Sequence, residues 1–288
     1  MEQNAQQCLT RRQILAHIVS LRSEGRLYHL GNPKLNSAFF GSADRYAEIA
    51  CLLQGKEKVL DVGSGSGLLL STLASLGHQC WGLDLVEPGM IAPTYARHGI
   101  QYRQCNVEVD DYPFPDDCFD AVTCCQVLEH FSHSPLPALG EMRRVLKPEG
   151  VLELDVPNVA CFRNRWRMLR GKNITWNYRE HYLRAQPLFH RGFSFYPVRH
   201  NREFTRAELR ELLLEGGFSE VSVQFLKDRN LRTGWKRLLD AGSAARNLVP
   251  SLRKSLIATA RKRGPARNEP FTLAGGDSSM SPWAMRSE

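Results

Sequence analysis

A chain of 288 residues with 42% hydrophobic side chains can bury a substantial core as one large domain, or as one domain with extensions. It has no run of about 18 apolar residues, which excludes a membrane-spanning helix, and the polar stretch 1–7 lacks the apolar core of a secretory signal. The formal charge of +8 is concentrated: residues 227–267 hold twelve Lys or Arg against two Asp, and residues 163–191 hold eight against Glu180 alone. These segments face either an anionic partner (a phosphorylated substrate, a membrane surface, RNA) or only solvent. The eight cysteines include no C-x-x-C pair and read as thiols in a reducing cytoplasm rather than as disulfides or zinc ligands.

Residues 10–24 form a predicted helix with Ile14, Ile18 and Leu21 on one face, residues 25–36 a loop, and residues 43–53 a second helix. The stretch that organises the chain follows. Residues 59–62 are a short apolar run and read as a buried strand, Gly63-Ser64-Gly65-Ser66-Gly67 turns sharply, and residues 68–76 read as a helix. Glycines here leave bare backbone for a ligand, and the helix N-terminus beyond them offers free N–H groups to a carboxylate or phosphate. A dinucleotide fingerprint wants Gly-x-Gly-x-x-Gly, and Leu68 stands where its last glycine should be. Asp61 adds a carboxylate that would repel a pyrophosphate but suit an ammonium or sulfonium. The next strand, 80–84, ends in Asp84, an acceptor for ribose hydroxyls.

Acid, glycines, helix and second acid together resemble the cofactor site of class I S-adenosylmethionine-dependent methyltransferases. The resemblance continues, in its type 11 branch, through the proline–phenylalanine loop Tyr112-Pro113-Phe114-Pro115 and Arg144-Val145-Leu146-Lys147-Pro148-Glu149-Gly150 before an apolar strand. It implies S-adenosyl-L-methionine as cofactor, held by Asp61, Gly63, Ser64, Gly65, Gly67, Asp84 and Leu85. It further implies Asn106 and Val107 at the adenine and Gln126 at the methionine part. The implied fold is α/β, a doubly wound seven-stranded, mostly parallel sheet (the Rossmann-like methyltransferase fold) with helices on both faces and a cap insertion after strand five. Residues 1–42 would be an N-terminal helical extension, 43–263 the methyltransferase domain and 264–288 a disordered tail.

Further along, residues 85–98 read as a loop and helix interrupted by Pro88 and Pro93, and residues 100–105 as strand three. Strand four runs to Cys125, and Val127-Leu128-Glu129-His130-Phe131 is expected to open a helix. Residues 139–146 form the next predicted helix, 147–150 a turn and 151–156 strand five, where Asp155 reads either as a substrate-side acid or as a structural one. Residues 159–203 fit no regular core element and are rich in Arg, aromatic residues and His, which marks a substrate cap. Thr205-Arg206-Ala207-Glu208 is a capping box opening a helix that Gly216-Gly217 ends, followed by strand six at 218–225. A basic, partly helical excursion then leads to strand seven at 255–260.

Methyl transfer needs a nucleophile aligned with the methyl carbon and, for a hydroxyl, a base. His130 is the candidate base by position, or else a shaper of the turn after strand four. His130 and His133 lack a further ligand set and are not read as a metal site. In the cap, Arg163, Arg167, Trp176, His181 and His200 are the substrate-binding candidates. Asn164-Arg165-Trp166-Arg167-Met168-Leu169-Arg170-Gly171 and the run 200–213 resemble bacterial methyltransferases associated with surface polysaccharides. That resemblance implies a sugar hydroxyl or lipid-linked glycan as acceptor, with a diphosphate for the arginines to grip and contact with a membrane periphery. A quinone precursor or tRNA is the alternative acceptor, nucleic acid ranking lower because no RNA-binding module is present. A non-catalytic cofactor-binding protein and a nicotinamide-dependent oxidoreductase remain as rival classes.

Overall fold

The computed structural model describes residues 8–23, 33–175, 177–227 and 248–264. Its central sheet has seven strands among the described residues: β1 (Lys58–Val62), β2 (Gln79–Asp84), β3 (Gln101–Gln104), β4 (Phe119–Cys125), β5 (Leu146–Pro157), β8 (Ser219–Phe225) and β9 (Ser255–Arg261). The order is β3-β2-β1-β4-β5-β9-β8, with β9 antiparallel to both neighbours and the other pairings parallel. The central strands are buried on both faces, which is why β1 and the second half of β5 read as near-continuous apolar runs. Parallel register sets Asp61 beside Thr123 and Cys125 beside Asp155, so the polar residues of three strands collect at their carboxyl ends.

Helices cover both faces. Ile14, Ile18 and Leu21 of α1 (Arg11–Ser23), Ala47 and Ala50 of α2 (Pro33–Leu52), Leu69 and Leu73 of α3 (Leu68–Ser75), and Tyr95 of α4 (Pro88–Arg97) pack into one core. Leu139 and Met142 of α5 (Leu136–Val145) and Leu209 and Leu213 of α7 (Arg206–Glu215) pack into the other. The capping box of α7 is formed: the Glu208 N–H donates to Thr205 Oγ1 at 3.2 Å and the Thr205 N–H to Glu208 Oε2 at 2.8 Å.

Arg144 explains why the proline–phenylalanine loop and the end of α5 occur together. Its guanidinium donates to the Tyr112 carbonyl at 2.9 Å, the Phe114 carbonyl at 2.8 Å and Asp116 at 2.8 Å, so one side chain gathers a loop with few backbone bonds of its own. Lys262 does the same beside it, its ammonium also reaching the Arg144 carbonyl at 3.2 Å. Wholly buried, its ammonium donates to the Leu146 carbonyl at 2.7 Å and Asp117 at 2.6 Å.

The structure corrects several expectations. Residues 33–36, predicted as loop, are the first turn of α2. The predicted helix after β4 is only a 3₁₀ turn, Leu128–His130, because the chain leaves it to meet the cap. The predicted turn at 147–150 is taken into β5: the Glu149 N–H bonds to the Lys262 carbonyl at 2.8 Å, and Glu149 accommodates the irregularity at φ 61°. Nor is the cap irregular throughout. It holds α6 (Phe162–Leu169), a π turn (Arg179–Leu183) and the hairpin of β6 (Leu188–His190) and β7 (Phe193–Phe195). His190 and Arg191 tie that hairpin to Asp110 at 2.8 and 3.2 Å. Most of the basic excursion (228–247), Trp176 and the tail from 265 lie outside the described residues. All eight cysteines are free.

Candidate functional site

Ligands of open α/β sheets bind beyond the carboxyl ends of the strands, where a switch in strand order opens a crevice. Such a cleft of about 200 Å³ lies at the ends of β1, β2 and β4. Gly63, Asp84, Leu85, Asn106, Val107 and Gln126, six of the ten cofactor positions expected from sequence, line it together with His130. Glu108, Phe195 and Pro197 also line it; the last two come from the cap and close the cleft from above.

The glycine loop is built for close approach. A Cβ at Gly63 (φ +76°) would stand 2.3 Å from Val127 Cγ2, so only glycine fits. Gly65 (φ +50°) has nothing within 4 Å of where its Cβ would be, and its N–H donates to Asp84 Oδ2 at 2.7 Å. Asp84 Oδ1 accepts the Val86 N–H at 3.2 Å, so this carboxylate pins the loop as well as facing the cleft.

The remaining candidates do not line the cleft. Ser64 Oγ accepts the Tyr95 hydroxyl at 2.8 Å and a Cβ at Gly67 would meet the Tyr95 ring at 2.9 Å, so both positions seat α4 against the loop. Asp61 lies buried beneath, accepting Thr123 Oγ1 at 2.7 Å across the β1–β4 pair. Burial raises its carboxyl to about 7.

Asn106 donates its backbone N–H to Asp110 and accepts the Glu108 N–H at Oδ1 (3.1 Å), while its buried Nδ2 has no partner among the described residues. Gln126, at φ +57° on the strained end of β4, donates its side-chain amide to Asp155 Oδ1 at 2.6 Å. Arg45 reaches the same oxygen at 3.0 Å from α2, and Cys125 Sγ donates to Glu153 Oε2 at 3.3 Å. Burial, with Asp155 close by, holds the Glu153 carboxyl well above the usual carboxylate range. Asp155 is thus an anchor under the site and does not line the cleft. Sequence reading missed this network because Arg45 stands 110 residues before Asp155, and Cys125 and Gln126 reach their acids from another strand end.

His130 donates its Nδ1–H to the Arg199 carbonyl (3.0 Å), and burial, with His200 nearby, lowers its basicity. His133 is not its helical neighbour but pairs with Glu108 at 2.7 Å. Next to His130 in the chain, Glu129 is 1% exposed and neither carboxyl oxygen has a partner among the described residues. Burial raises it from 4.5 to about 8. The unfolded chain ionises this group near the lower value, so between the two values the folded state binds the extra proton and loses stability as pH rises. In Glu129→Gln that slope disappears: the fall in Tm between pH 5 and pH 8.5 should shrink, and the variant should exceed the wild type at pH 8.5. The gain is at most about 1.4 kcal/mol for each unit by which burial raises the carboxyl. Superimposable Tm–pH profiles would refute the neutral carboxyl.

A second cavity of about 230 Å³ lies in the cap, lined by Asn173, Ile174, Thr175, His181, Tyr182, Val198, His200, Asn201, Arg202 and Glu203. His181 and His200, two of the five substrate candidates, meet here. Arg163 does not line it but stands 3.9 Å from Glu203, which does. Arg167 is tethered to the carbonyls of Asn173 and Thr175 at 2.8 and 3.0 Å, which fixes the cap's own loop instead of presenting a cation to the cavity. The rings of His130, on the cleft, and His200, on the cap cavity, stand edge to face with centroids 4.9 Å apart.

Residues 60–154 match the family model Methyltransf_11, described as a methyltransferase domain. The ubiquinone biosynthesis O-methyltransferase of Haemophilus ducreyi is 38% identical over 109 residues, covering 35% of this chain and 46% of that protein. The mitochondrial enzyme of the same name from Mus musculus is 36% identical over 110 residues, covering 35% and 29%. The chain spans about half or less of the length of these curated relatives. Among solved structures, a methyltransferase in complex with the Trm112 activator of Haloferax volcanii superposes with a TM-score of 0.54 at 19% identity, covering 86% of this chain and 98% of that one. An S-adenosylmethionine-dependent methyltransferase of Archaeoglobus fulgidus does so at 0.51 and 16%, covering 80% and 94%. At such identities the likeness shows the fold.

Proposed function

We propose, for a chain that carries a class I methyltransferase domain with S-adenosylmethionine as its cofactor, that it transfers the methyl group to a hydroxyl of a small acceptor held between the cleft and the cap. The residues fit the cofactor. Bare backbone at Gly63 and the Asp84 carboxylate, both on the cleft, and the Asn106 Nδ2, without a partner among the described residues, are what an amino-acid tail, a ribose and an adenine respectively require. When bound, S-adenosylmethionine supplies an electrophilic methyl group on a sulfonium. The protein's part is to hold the two reactants in line, keep water out and take up the acceptor's proton. Phe131, Phe195 and Pro197 exclude water from the cleft.

The observation that carries the choice of acceptor is the lining of the cap cavity. Eight of its ten residues carry side-chain hydrogen-bonding groups, and Tyr182 and the imidazoles add flat apolar faces. That combination suits a polyhydroxylated ring, and we read the acceptor as a sugar or glycan. Exposed apolar side chains of the cap support a lipid-linked form met at a membrane surface: Trp166 and Leu169, which adjoin Arg165 and Arg170 in the chain, are 52 and 81% exposed, and Phe189 of the hairpin is 77% exposed. No helix among the described residues is long and apolar enough to cross a membrane. A second reading, a phenolic quinone precursor, is favoured by the names of the curated relatives. The family match, however, ends before the cap.

Calorimetric titration with S-adenosylhomocysteine should give micromolar binding and none with NAD. Transfer of labelled methyl to methyl glycosides, and not to catechol, supports the sugar reading; transfer to catechol alone supports the second. Absence of S-adenosylhomocysteine binding would overturn both.

A further inference from the structure

We propose that His200 is the general base of the transfer and that Glu203 and Asn164 are the residues that position it. This deepens the proposed function and rests on it.

The segment that carries His200 is stitched to the turn after β4. The N–H groups of Asn201 and Arg202 donate to the Glu129 carbonyl at 2.7 and 3.3 Å, and Asn201 Nδ2 donates to the His130 carbonyl at 2.8 Å. The imidazole is thereby fixed at the seam between cleft and cap cavity. Its Nδ1 lies 3.1 Å from Glu203 Oε1. The other carboxyl oxygen of Glu203 accepts Asn164 Nδ2 at 2.7 Å, and Asn164, wholly buried, also donates to the Val159 carbonyl at 2.9 Å. Burial alone would raise Glu203, but the hydrogen bonds from His200 and Asn164 carry it below the usual carboxylate range.

An ionised Glu203 accepts, so the proton of neutral His200 sits on Nδ1 and the lone pair on Nε2, which makes no hydrogen bond among the described residues. Carboxylate, imidazole and open nitrogen in sequence are the parts of a base whose cation is stabilised as it forms. His130 lacks them. Its Nδ1 faces only a carbonyl, and charging it would bury a cation with no carboxylate bonded to it. The groups that face His200 are Glu203, His130 and Glu129, with His181 and Arg202 across the cavity. In the step, the acceptor hydroxyl gives its proton to Nε2 while an oxygen lone pair forms the bond to the methyl carbon. The carbon–sulfur bond breaks with its electron pair going to sulfur, so the sulfonium becomes a neutral thioether. The imidazolium then releases the proton to water.

Two measurements test this on the full-length protein. Long-range ¹H–¹⁵N correlation spectra of ¹⁵N-histidine protein saturated with S-adenosylhomocysteine should show the Nδ1–H tautomer for His200, and Glu203→Gln should move its titration to lower pH. Kinetics with methyl α-mannoside and with catechol as probe acceptors should show a fall in kcat of about 10²–10⁴-fold in His200→Gln, with S-adenosylhomocysteine affinity unchanged. The acidic limb of kcat/KM should vanish in His200→Gln and shift down in Glu203→Gln. An Nε2–H tautomer, a titration indifferent to Glu203, or His200→Gln within threefold of wild-type turnover overturns the proposal. If neither probe is methylated, the tautomer and the Glu203 shift decide it. Loss of cofactor binding in the wild type, by contrast, would strike the proposed function itself.

Discussion

Asp84→Asn should weaken S-adenosylhomocysteine binding about ten- to a hundredfold in a chain that still folds. The carboxylate stands at the end of β2 with one oxygen on the Gly65 N–H and the other 3.2 Å from the Val86 N–H, and it lines the cleft. An amide replaces one acceptor with a donor, so either the glycine loop loses its pin or the ligand loses a charge-assisted hydrogen bond. Hydrogen bonds to charged groups contribute roughly 1.5–3 kcal/mol, and about 1.4 kcal/mol is a factor of ten in affinity. The same titration on Gly65→Ala separates the two causes. A methyl there meets no protein atom within 4 Å and perturbs the loop only through a strained φ. Lost affinity with near-native Tm in Asp84→Asn, against retained affinity in Gly65→Ala, assigns the carboxylate to the ligand. A large drop in Tm in Asp84→Asn assigns it to the loop, and unchanged affinity removes it from the site.

Asp84 also shows what a sequence makes legible. Strand, glycine turn and helix are local, so the run from Val59 to Leu73 announces its own structure, and the alternation of apolar strands and helices gives the sheet. The capping box at Thr205 is likewise encoded within four residues. The cap resisted because its order comes from single polar contacts to distant turns. His190 on Asp110, Arg199 on His130 and Asn201 on Glu129 are each more than sixty residues apart, and no periodicity records them. The helix expected after Val127 fails for the same reason: tertiary bonds from the cap take the carbonyls that a helix would have used. Asp155 could not be assigned from sequence because a buried acid at a strand end looks the same whether it faces a substrate or an arginine from another helix.

Arg45→Met follows from that last point and should destabilise the fold by about 3–5 kcal/mol, the usual cost of leaving a buried charge without its partner. Arg45 is the cation 3.0 Å from Asp155, which is wholly buried and also holds Gln126 on the cleft; Glu153, equally buried, lies beside it. Methionine keeps the packing stem and removes the charge. The deficit should grow with pH. Carboxyls held above their unfolded values cost stability as pH climbs past the unfolded value, and Glu153, already held there by burial, moves further that way without the guanidinium. Urea unfolding at pH 5 and pH 8 should therefore show the larger loss at pH 8. Adding Asp155→Asn to Arg45→Met should recover part of it, since the double variant leaves one fewer uncompensated acid. Equal losses at both pH values, or a coupling near zero in the double-mutant cycle, would mean that the pair is bystander to the fold. A genuine coupling would instead tie α2 to the floor of the cleft. S-adenosylhomocysteine affinity should then fall along with stability, because the oxygen that pairs with Arg45 is the one that holds Gln126 in place.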